Sequence, residues 1–264
     1  MTTHAADTAA ALTVEMVPIL SDNYVYLLKD EETGTVGVVD PGAAAPIEEA
    51  LGKLGWSLDW ILLTHHHADH IDGVGRLVEA YGAKVVGAAA DKARLPALDD
   101  VFEPGEDWTF GAQLVEVIDT PGHTVGHVAL YFPRPKVLFS GDTLFALGCG
   151  RLFEGTAHQM WGALSALAKL PPETTVYCGH EYTLSNAKFA LTVEAENPAL
   201  KDRAAEIEAL RAKGLPTIPT TIGKELATNP FLRASQPSVK AAVGMPGGDD
   251  AAVFAEVRRR KDAA

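Results

Sequence analysis

Four metal-binding side chains crowd into six residues at His65, His67, Asp69 and His70, directly after the apolar run Trp60-Ile61-Leu62-Leu63. A strand-like segment that ends in such a cluster commits the chain to building a site just past the strand's carboxyl end. In extended chain, residues two apart share a face, so His65 and His67 point together while His66 points away. Asp69 and His70 join them only if the chain turns at Ala68, whose small side chain leaves room. Neutral imidazole and carboxylate together suit zinc, iron or manganese. A polar loop whose histidines merely face water would not concentrate donors this densely. His66 reads as a packing or hydrogen-bonding neighbour and not a ligand.

A chain of 264 residues, 47% hydrophobic, can bury the core of one large α/β domain with room for a smaller addition. No apolar run approaches the roughly 20 residues of a membrane span. A formal net charge of -13 argues against a nucleic-acid surface and makes any basic cluster conspicuous. Residues 1–12 read as a flexible leader, since Met1–Ala11 has an acid but no Arg or Lys and resembles neither a secretory signal nor a transit peptide. Cys149 and Cys178 can form at most one bridge, and nothing in their spacing demands it; reduced thiols and a cytoplasmic location are expected.

Strand-like and helix-like segments alternate through the first two thirds. Strands are expected at Val14–Ile19, Tyr24–Leu28, Val36–Asp40, Trp60–Leu63, Lys84–Gly87, Gln113–Asp119, His127–Phe132, Val137–Ser140 and Thr175–Cys178. Helices are expected at Pro46–Leu54, His70–Tyr81 and Gln159–Leu170. After Tyr182 the pattern turns helical: Ser185–Ala195, an apolar stripe at Leu200, Ala204, Ile207 and Leu210, a short helix at Ile222–Thr228, and a last one capped by Asp249 or Asp250. A sheet-containing domain over 13–182 and a helical domain over 183–264 follow from this division.

Three more segments set a donor at a strand end. They are Pro121-Gly122-His123-Thr124, Ser140-Gly141-Asp142-Thr143 and Cys178-Gly179-His180-Glu181. Alone, each Gly-His or Gly-Asp step reads as turn chemistry capping a helix. Three of them behind the first cluster point to one site, because layered α/β proteins collect ligands where strands end.

With these segments in place, the chain resembles the metallo-β-lactamase superfamily, and more closely its hydroxyacylglutathione hydrolases, also called glyoxalase II. The likeness covers nearly the whole chain from about Leu12. It rests on Val17-Pro18-Ile19-Leu20-Ser21-Asp22-Asn23-Tyr24, Thr64 to His70, Gly141-Asp142-Thr143-Leu144-Phe145, Gly148-Cys149-Gly150-Arg151, Gly179-His180-Glu181-Tyr182 and Thr228-Asn229-Pro230-Phe231-Leu232-Arg233. The fold it implies is α/β, an αβ/βα sandwich of two sheets with helices outside and an all-helical carboxyl-terminal domain. It also implies two divalent ions, zinc foremost with iron or manganese as substitutes. His65, His67 and His123 would hold the first, Asp69, His70 and His180 the second, and Asp142 both. His4, His66, His127 and His158 are left unassigned, His127 being read as structural.

The implied reaction is thioester hydrolysis. Two ions roughly 3.5–4 Å apart would activate a shared water for attack on a carbonyl, and a metal would stabilise the oxyanion. Asp142 and Asp69 are the catalytic carboxylates, the latter able to orient the nucleophile. A thiol with a pKa near 8.5 departs largely unprotonated, which suits a chain with no obvious separate general acid. The resemblance implies S-(2-hydroxyacyl)glutathione as substrate, S-D-lactoylglutathione in particular, giving glutathione and D-lactate in the second step of methylglyoxal detoxification. No nucleic-acid or membrane partner is expected.

Arg258 and Lys261 are three apart and so neighbours on one helical face. They could merely complement the helix dipole, worth about 0.3–1 kcal/mol; the resemblance implies that they bind the glycine carboxylate of glutathione. Arg151, Phe153 and Tyr182 would add contacts, and the glycines of Gly148-Cys149-Gly150-Arg151 would let backbone approach the ligand. Relatives often have Lys at Arg151, Tyr at Phe153 and an aromatic residue at Ala68. Phe153 has no hydroxyl to donate, leaving stacking or apolar packing. The nearest alternative is a persulfide dioxygenase with a single iron, which normally lacks the long helical tail and its basic pair.

Overall fold

The computed structural model describes residues 12–264, so the leader reading and His4 fall outside the described residues, apart from Leu12, which begins the first strand. One sheet runs in chain order through β1 (Leu12–Ile19), β2 (Asn23–Asp30), β3 (Val36–Val39), β4 (Trp60–Leu63), β5 (Lys84–Ala88) and β6 (Asp100–Phe102). Its first three strands pair antiparallel through short turns. The next three join in parallel, which needs crossovers. The first two are α1 (Ala44–Leu54) and α2 (Ala68–Ile71) with α3 (Val74–Tyr81), and the third carries a 3-10 turn at Ala89–Asp91.

The single helix expected over His70–Tyr81 is therefore two, broken at Asp72 and Gly73. There the Gly73 N–H donates to the Pro41 carbonyl at 2.9 Å, and a Cβ on Gly73 would lie 2.5 Å from that oxygen. The tight approach of the β3–α1 loop overrides helical periodicity.

The second sheet has the order β14-β13-β10-β9-β8-β7. It comprises β7 (Asp107–Phe110), β8 (Gln113–Asp119), β9 (Val128–Phe132), β10 (Val137–Gly141), β13 (Thr175–Cys178) and β14 (Thr220–Thr221). A two-stranded hairpin, β11 (Leu144–Phe145) with β12 (Gly148–Cys149), follows β10, and α4 (Ala157–Leu167) precedes β13. Beyond β13 come α5 (Thr183–Val193), α6 (Pro198–Arg211), α7 (Ile222–Thr228), α8 (Pro237–Ala242) and α9 (Asp250–Asp262). Asp249 caps α9 through the Ala252 N–H. The helical region also lends the sheet an edge strand, β14 on β13.

Side chains alternate along strands that are buried on both faces. Tyr24, Tyr26 and Leu28 of β2 face inward and meet Leu130, Phe132 and Phe139 of the other sheet in one apolar layer. On the outer face of the first sheet, Leu27, Val38, Ile61 and Val85 pack against Ile47, Leu51, Val74 and Leu77 of the crossover helices. The outer face of the second sheet is covered differently. Tyr131, Leu138 and Val176 share one cluster with Met160 and Leu164 of α4 and with Phe189, Phe231, Phe254 and Val257 of the helical region. That region is thus part of the sandwich's outer layer, and one core crosses the expected boundary at Tyr182.

Candidate metal centre

Donors arrive from both sheets at one end of the sandwich. β4 delivers the His65–His70 loop of the first sheet. In the second, β8, β10 and β13 run the same way and end just before His123, Asp142 and His180. The expected turn at Ala68 is the start of α2, with His67 as its cap.

His65, His67 and His123 form one group and Asp69, His70 and His180 another, each with ligand atoms within 4.8 Å of one another. His123 Nε2 stands 2.9 Å from His67 Nδ1, and His70 Nε2 stands 3.4 Å from His180 Nε2. Asp142 lies between the groups. Its Oδ2 is 3.4 Å from His123 Nε2 and 3.2 Å from His180 Nε2, and its Oδ1 is 3.6 Å from His70 Nε2. All seven ligand residues read from the sequence converge.

The cluster fits cations. His65 Nε2 and Asp142 Oδ1 are buried with no hydrogen-bond partner among the described residues, and such orphaned groups are costly unless something coordinates them. A Cβ on Gly179 would sit 2.4 Å from Asp142 Oδ1, so only glycine lets the backbone pass the carboxylate. Burial drives the His65 imidazole well down, with His70 adding to it, which keeps the ring in its neutral, ligating form. Burial alone would raise the Asp142 carboxyl, yet His70 and His180 hold it well below the carboxylate range.

A second layer orients these candidate ligands, as metal-binding imidazoles require. Asp40 accepts from the Thr64 N–H at 2.8 Å and the Thr64 hydroxyl at 2.6 Å, and it meets His70 Nδ1 at 3.2 Å. Thr64 Oγ1 in turn lies 3.0 Å from His65 Nδ1. His180 Nδ1 pairs with Asp22 at 2.9 Å, His123 Nδ1 with the Arg151 carbonyl at 2.8 Å, and Asp69 accepts from Asn23 at 2.9 Å. His127 is buried and its Nε2 accepts the Asp142 N–H at 3.0 Å, a structural role. His66 Nδ1 turns away to Asp91 at 2.9 Å. His158 is exposed on α4.

Asp40 and Asp22 escaped the sequence reading as site residues. Asp40 nevertheless carries the same mark as the ligands, a carboxylate between an apolar strand and Pro41-Gly42.

The centre opens into a cleft of about 620 Å³ whose walls include Phe145, Arg151, Phe153 and Tyr182. Tyr182 stacks on His180 with centroids 4.6 Å apart, and Phe153 meets His123 edge-on at 5.2 Å. Phe153 is 61% exposed, which leaves its ring as an open apolar wall. The glycines expected to admit a ligand serve the protein instead: a Cβ on Gly150 would lie 1.9 Å from the Asp142 carbonyl, and one on Gly148 would lie 2.4 Å from the Asn186 amide. Asn229, from the Thr228–Arg233 motif, donates to the Phe145 and Gly148 carbonyls at 3.2 and 2.9 Å. The buried Glu225 carboxylate accepts the Leu147 N–H at 2.8 Å. The helical region thereby holds the β11–β12 hairpin that carries Phe145.

The basic pair on α9 divides. Lys261 reaches the surface, donating to the Ser185 carbonyl and hydroxyl at 3.2 and 2.9 Å. Arg258 is only 6% exposed; it donates to the Cys149 carbonyl at 3.0 Å and pairs with Asp262 at 2.7 Å. Arg151 lies 3.7 Å from the same Asp262 carboxylate oxygen.

Known proteins place this arrangement. Residues 20–180 match the family model of the Metallo-beta-lactamase superfamily, and residues 181–264 match that of the Hydroxyacylglutathione hydrolase C-terminus. A Hydroxyacylglutathione hydrolase of Ruegeria pomeroyi is 53% identical over 95% of this chain and 98% of its own. Among solved structures, ETHE1 from Myxococcus xanthus aligns with a TM-score of 0.66 at 26% identity, covering 94% of this chain and 90% of that one. TTHA1623 in a di-iron-bound form aligns at 0.61 with 27% identity, over 83% of this chain and 99% of its own.

Proposed function

The chain belongs to the hydroxyacylglutathione hydrolase family within the metallo-β-lactamase superfamily, and from that premise we propose that it hydrolyses S-(2-hydroxyacyl)glutathione, S-D-lactoylglutathione foremost, to glutathione and a 2-hydroxy acid such as D-lactate. The observation that carries this reading is the meeting of His65, His67, His123 and Asp69, His70, His180 around Asp142. Two divalent ions, zinc by preference, are proposed to sit in these groups. The di-iron form of TTHA1623 supports a two-ion occupancy. When bound, such ions supply an activated water nucleophile and polarise the carbonyl.

The chain's own groups do the rest. Asp40 and Asp22 fix the ring orientations of His70 and His180, so the donors are held before substrate arrives. Asp142 and Asp69 place negative charge where cations must stay close to the reacting carbonyl. Tyr182 and Phe153 wall the cleft and limit water around the acyl group. The thiolate of glutathione leaves without a proton donor, which agrees with a cleft whose carboxyl groups, among the described residues, are those of Asp69 and Asp142. Arg151 and Lys261 draw an anionic peptide to a protein of net charge -13. The free, buried thiols of Cys149 and Cys178 fit a reducing, cytoplasmic setting, and among the described residues no helix is long and apolar enough to cross a membrane.

The test is hydrolysis of S-D-lactoylglutathione by the purified protein, followed with metal analysis and an oxygen electrode. Thioester cleavage with two ions per chain and no oxygen uptake is expected. Oxygen consumption on a glutathione persulfide with one iron per chain would favour a persulfide dioxygenase instead, a reading disfavoured by the match of residues 181–264 to the hydrolase-specific region.

A further inference from the structure

Each imidazole of the two groups but one leans on a partner behind it. Thr64 stands behind His65, Asp40 behind His70, the Arg151 carbonyl behind His123 and Asp22 behind His180. His67 differs: among the described residues its ring has no hydrogen-bond partner except the neighbouring His123. Such partners ordinarily fix a ligating ring, so His67 has to be held by other means.

Two neighbours supply them. The ring of Phe153 meets His67 edge-on with centroids 5.6 Å apart, and His66, adjacent in the chain, faces a carboxylate at each nitrogen. His66 Nδ1 lies 2.9 Å from Asp91 and Nε2 lies 3.5 Å from Glu154. Arg94 joins these two acids, donating from Nε and Nη2 to Asp91 and from Nη1 to Glu154. The other oxygen of Glu154 accepts the Val125 N–H at 2.9 Å, two residues past His123. Phe153, next to Glu154, donates its N–H to the His123 carbonyl at 3.3 Å, and the Gly155 N–H donates to the Gly122 carbonyl at 3.0 Å. A Cβ on Gly126 would lie 2.2 Å from Asp91 Oδ1, so the same loop also runs directly against the buried Asp91 carboxylate.

Segments from both sheets therefore meet in one ionic lattice: the turn after β5, the loops after β4 and β8, and the stretch between β12 and α4. Among the described residues its side-chain contacts stop at the three-histidine side of the centre. Asp69, His70 and His180 are oriented by Asn23, Asp40 and Asp22 instead. We infer that Asp91, Arg94 and Glu154 are positioning residues that clamp His67, acting on it through His66 and through Phe153. A buried carboxylate paired with a guanidinium is a poor source of net stability; here it fixes the place of a ring that lacks its own partner. The inference rests on the two-ion reading and says which ion depends on the clamp, the one held by His65, His67 and His123.

The test is zinc titration of the apo-protein in competition with a chromophoric chelator. Glu154→Ala removes the brace yet leaves Asp91 paired with Arg94. It is expected to weaken one of the two zinc equivalents by roughly tenfold and the other by less than about twofold. Anomalous scattering from crystals at limiting zinc is expected to place the retained ion at Asp69, His70 and His180. Glu154→Gln, which keeps an acceptor for Arg94 and for the Val125 N–H, is expected to restore the lost affinity, and both variants to match the wild-type melting temperature without metal. Equal weakening of both ions or of neither overturns the inference, as does a retained ion at the three histidines. A loss of affinity that tracks a lower melting temperature of the apo-protein overturns it too, since the lattice would then serve the fold at large. A wild type that binds fewer than two ions would remove the two-ion reading itself, and the clamp's selectivity with it.

Discussion

Six side chains, from His65 to His180, gather around a seventh, Asp142, whose carboxylate oxygens lie 3.2–3.6 Å from His70, His123 and His180. Replacing it with Ala is expected to lose both bound metal and thioesterase activity, checked by elemental analysis of the purified variant; full metal retention would contradict the bridging role. The basic residues of α9 should separate as their burial does. Lys261→Ala is expected to raise KM with little change in melting temperature. Arg258→Ala is expected to raise KM and also to destabilise by about 1–3 kcal/mol, because it strands the buried Cys149 carbonyl. Paired thermal melts and steady-state kinetics distinguish the two. Both residues were legible in the sequence as a basic cluster in an acidic chain, whereas their difference in burial was not. Spacing along a helix says which residues are neighbours, not how deeply the face is packed.

At the level of elements, strand ends explain most of the site. Each ligand segment follows an apolar run, and β4, β8, β10 and β13 lay their carboxyl ends together. The long strands and helices carry their own periodicity, so they could be read directly. The short ones could not: β6, β11, β12, β14 and α8 have two to six residues each, too few for a period, and exist because a neighbour pairs with them. Asp30 shows a further link between elements that no motif announces. At the end of β2 it accepts from the Ala112 N–H and the Gln113 amide of the β7–β8 hairpin, both at 2.8 Å, tying one sheet to the other. Burial would raise its carboxyl, but the Thr33 hydroxyl and these donors lower it from 3.8 to about 2. A depressed carboxyl contributes stability that is full above its unfolded pKa and is lost as pH falls through the folded one. Asp30→Asn is therefore expected to lower the urea midpoint at neutral pH, with the gap to wild type closing between 3.8 and about 2. A gap that persists unchanged at the acid end would refute the assignment, provided the wild type remains folded there.

For the whole molecule, the helical region covers the outer face of the second sheet and supplies Asn229 and Glu225 to the hairpin beside Asp142. Residues 13–182 are consequently not expected to stand alone. Truncation after Tyr182 would bare Tyr131, Leu138 and Val176, whose burial stabilises by roughly 25 cal/mol per Å² of apolar area. The expected outcome is a fragment without a cooperative thermal transition; a sharp melt near that of the full chain would show that the sandwich folds without its tail. The change of pattern at Tyr182 was visible in the sequence because strand and helix periods differ. The shared core was not, since apolar residues of both regions look alike until they are seen touching.

What the sequence determined by itself was the chemistry on offer: which residues could ligate a metal, that they sit at strand ends, and that a sheet-containing α/β region precedes a helical tail. These are local properties, written in residue type and in the repeat of two or 3.6 residues. Tertiary structure alone decided which oxygen and nitrogen atoms face one another, that Asp40 and Asp22 stand behind His70 and His180, that Arg258 is buried while Lys261 reaches Ser185 nearer the surface, and that two regions share one core. Those outcomes depend on how sheets and helices close on each other, and close packing fixes them through contacts between residues far apart in the chain.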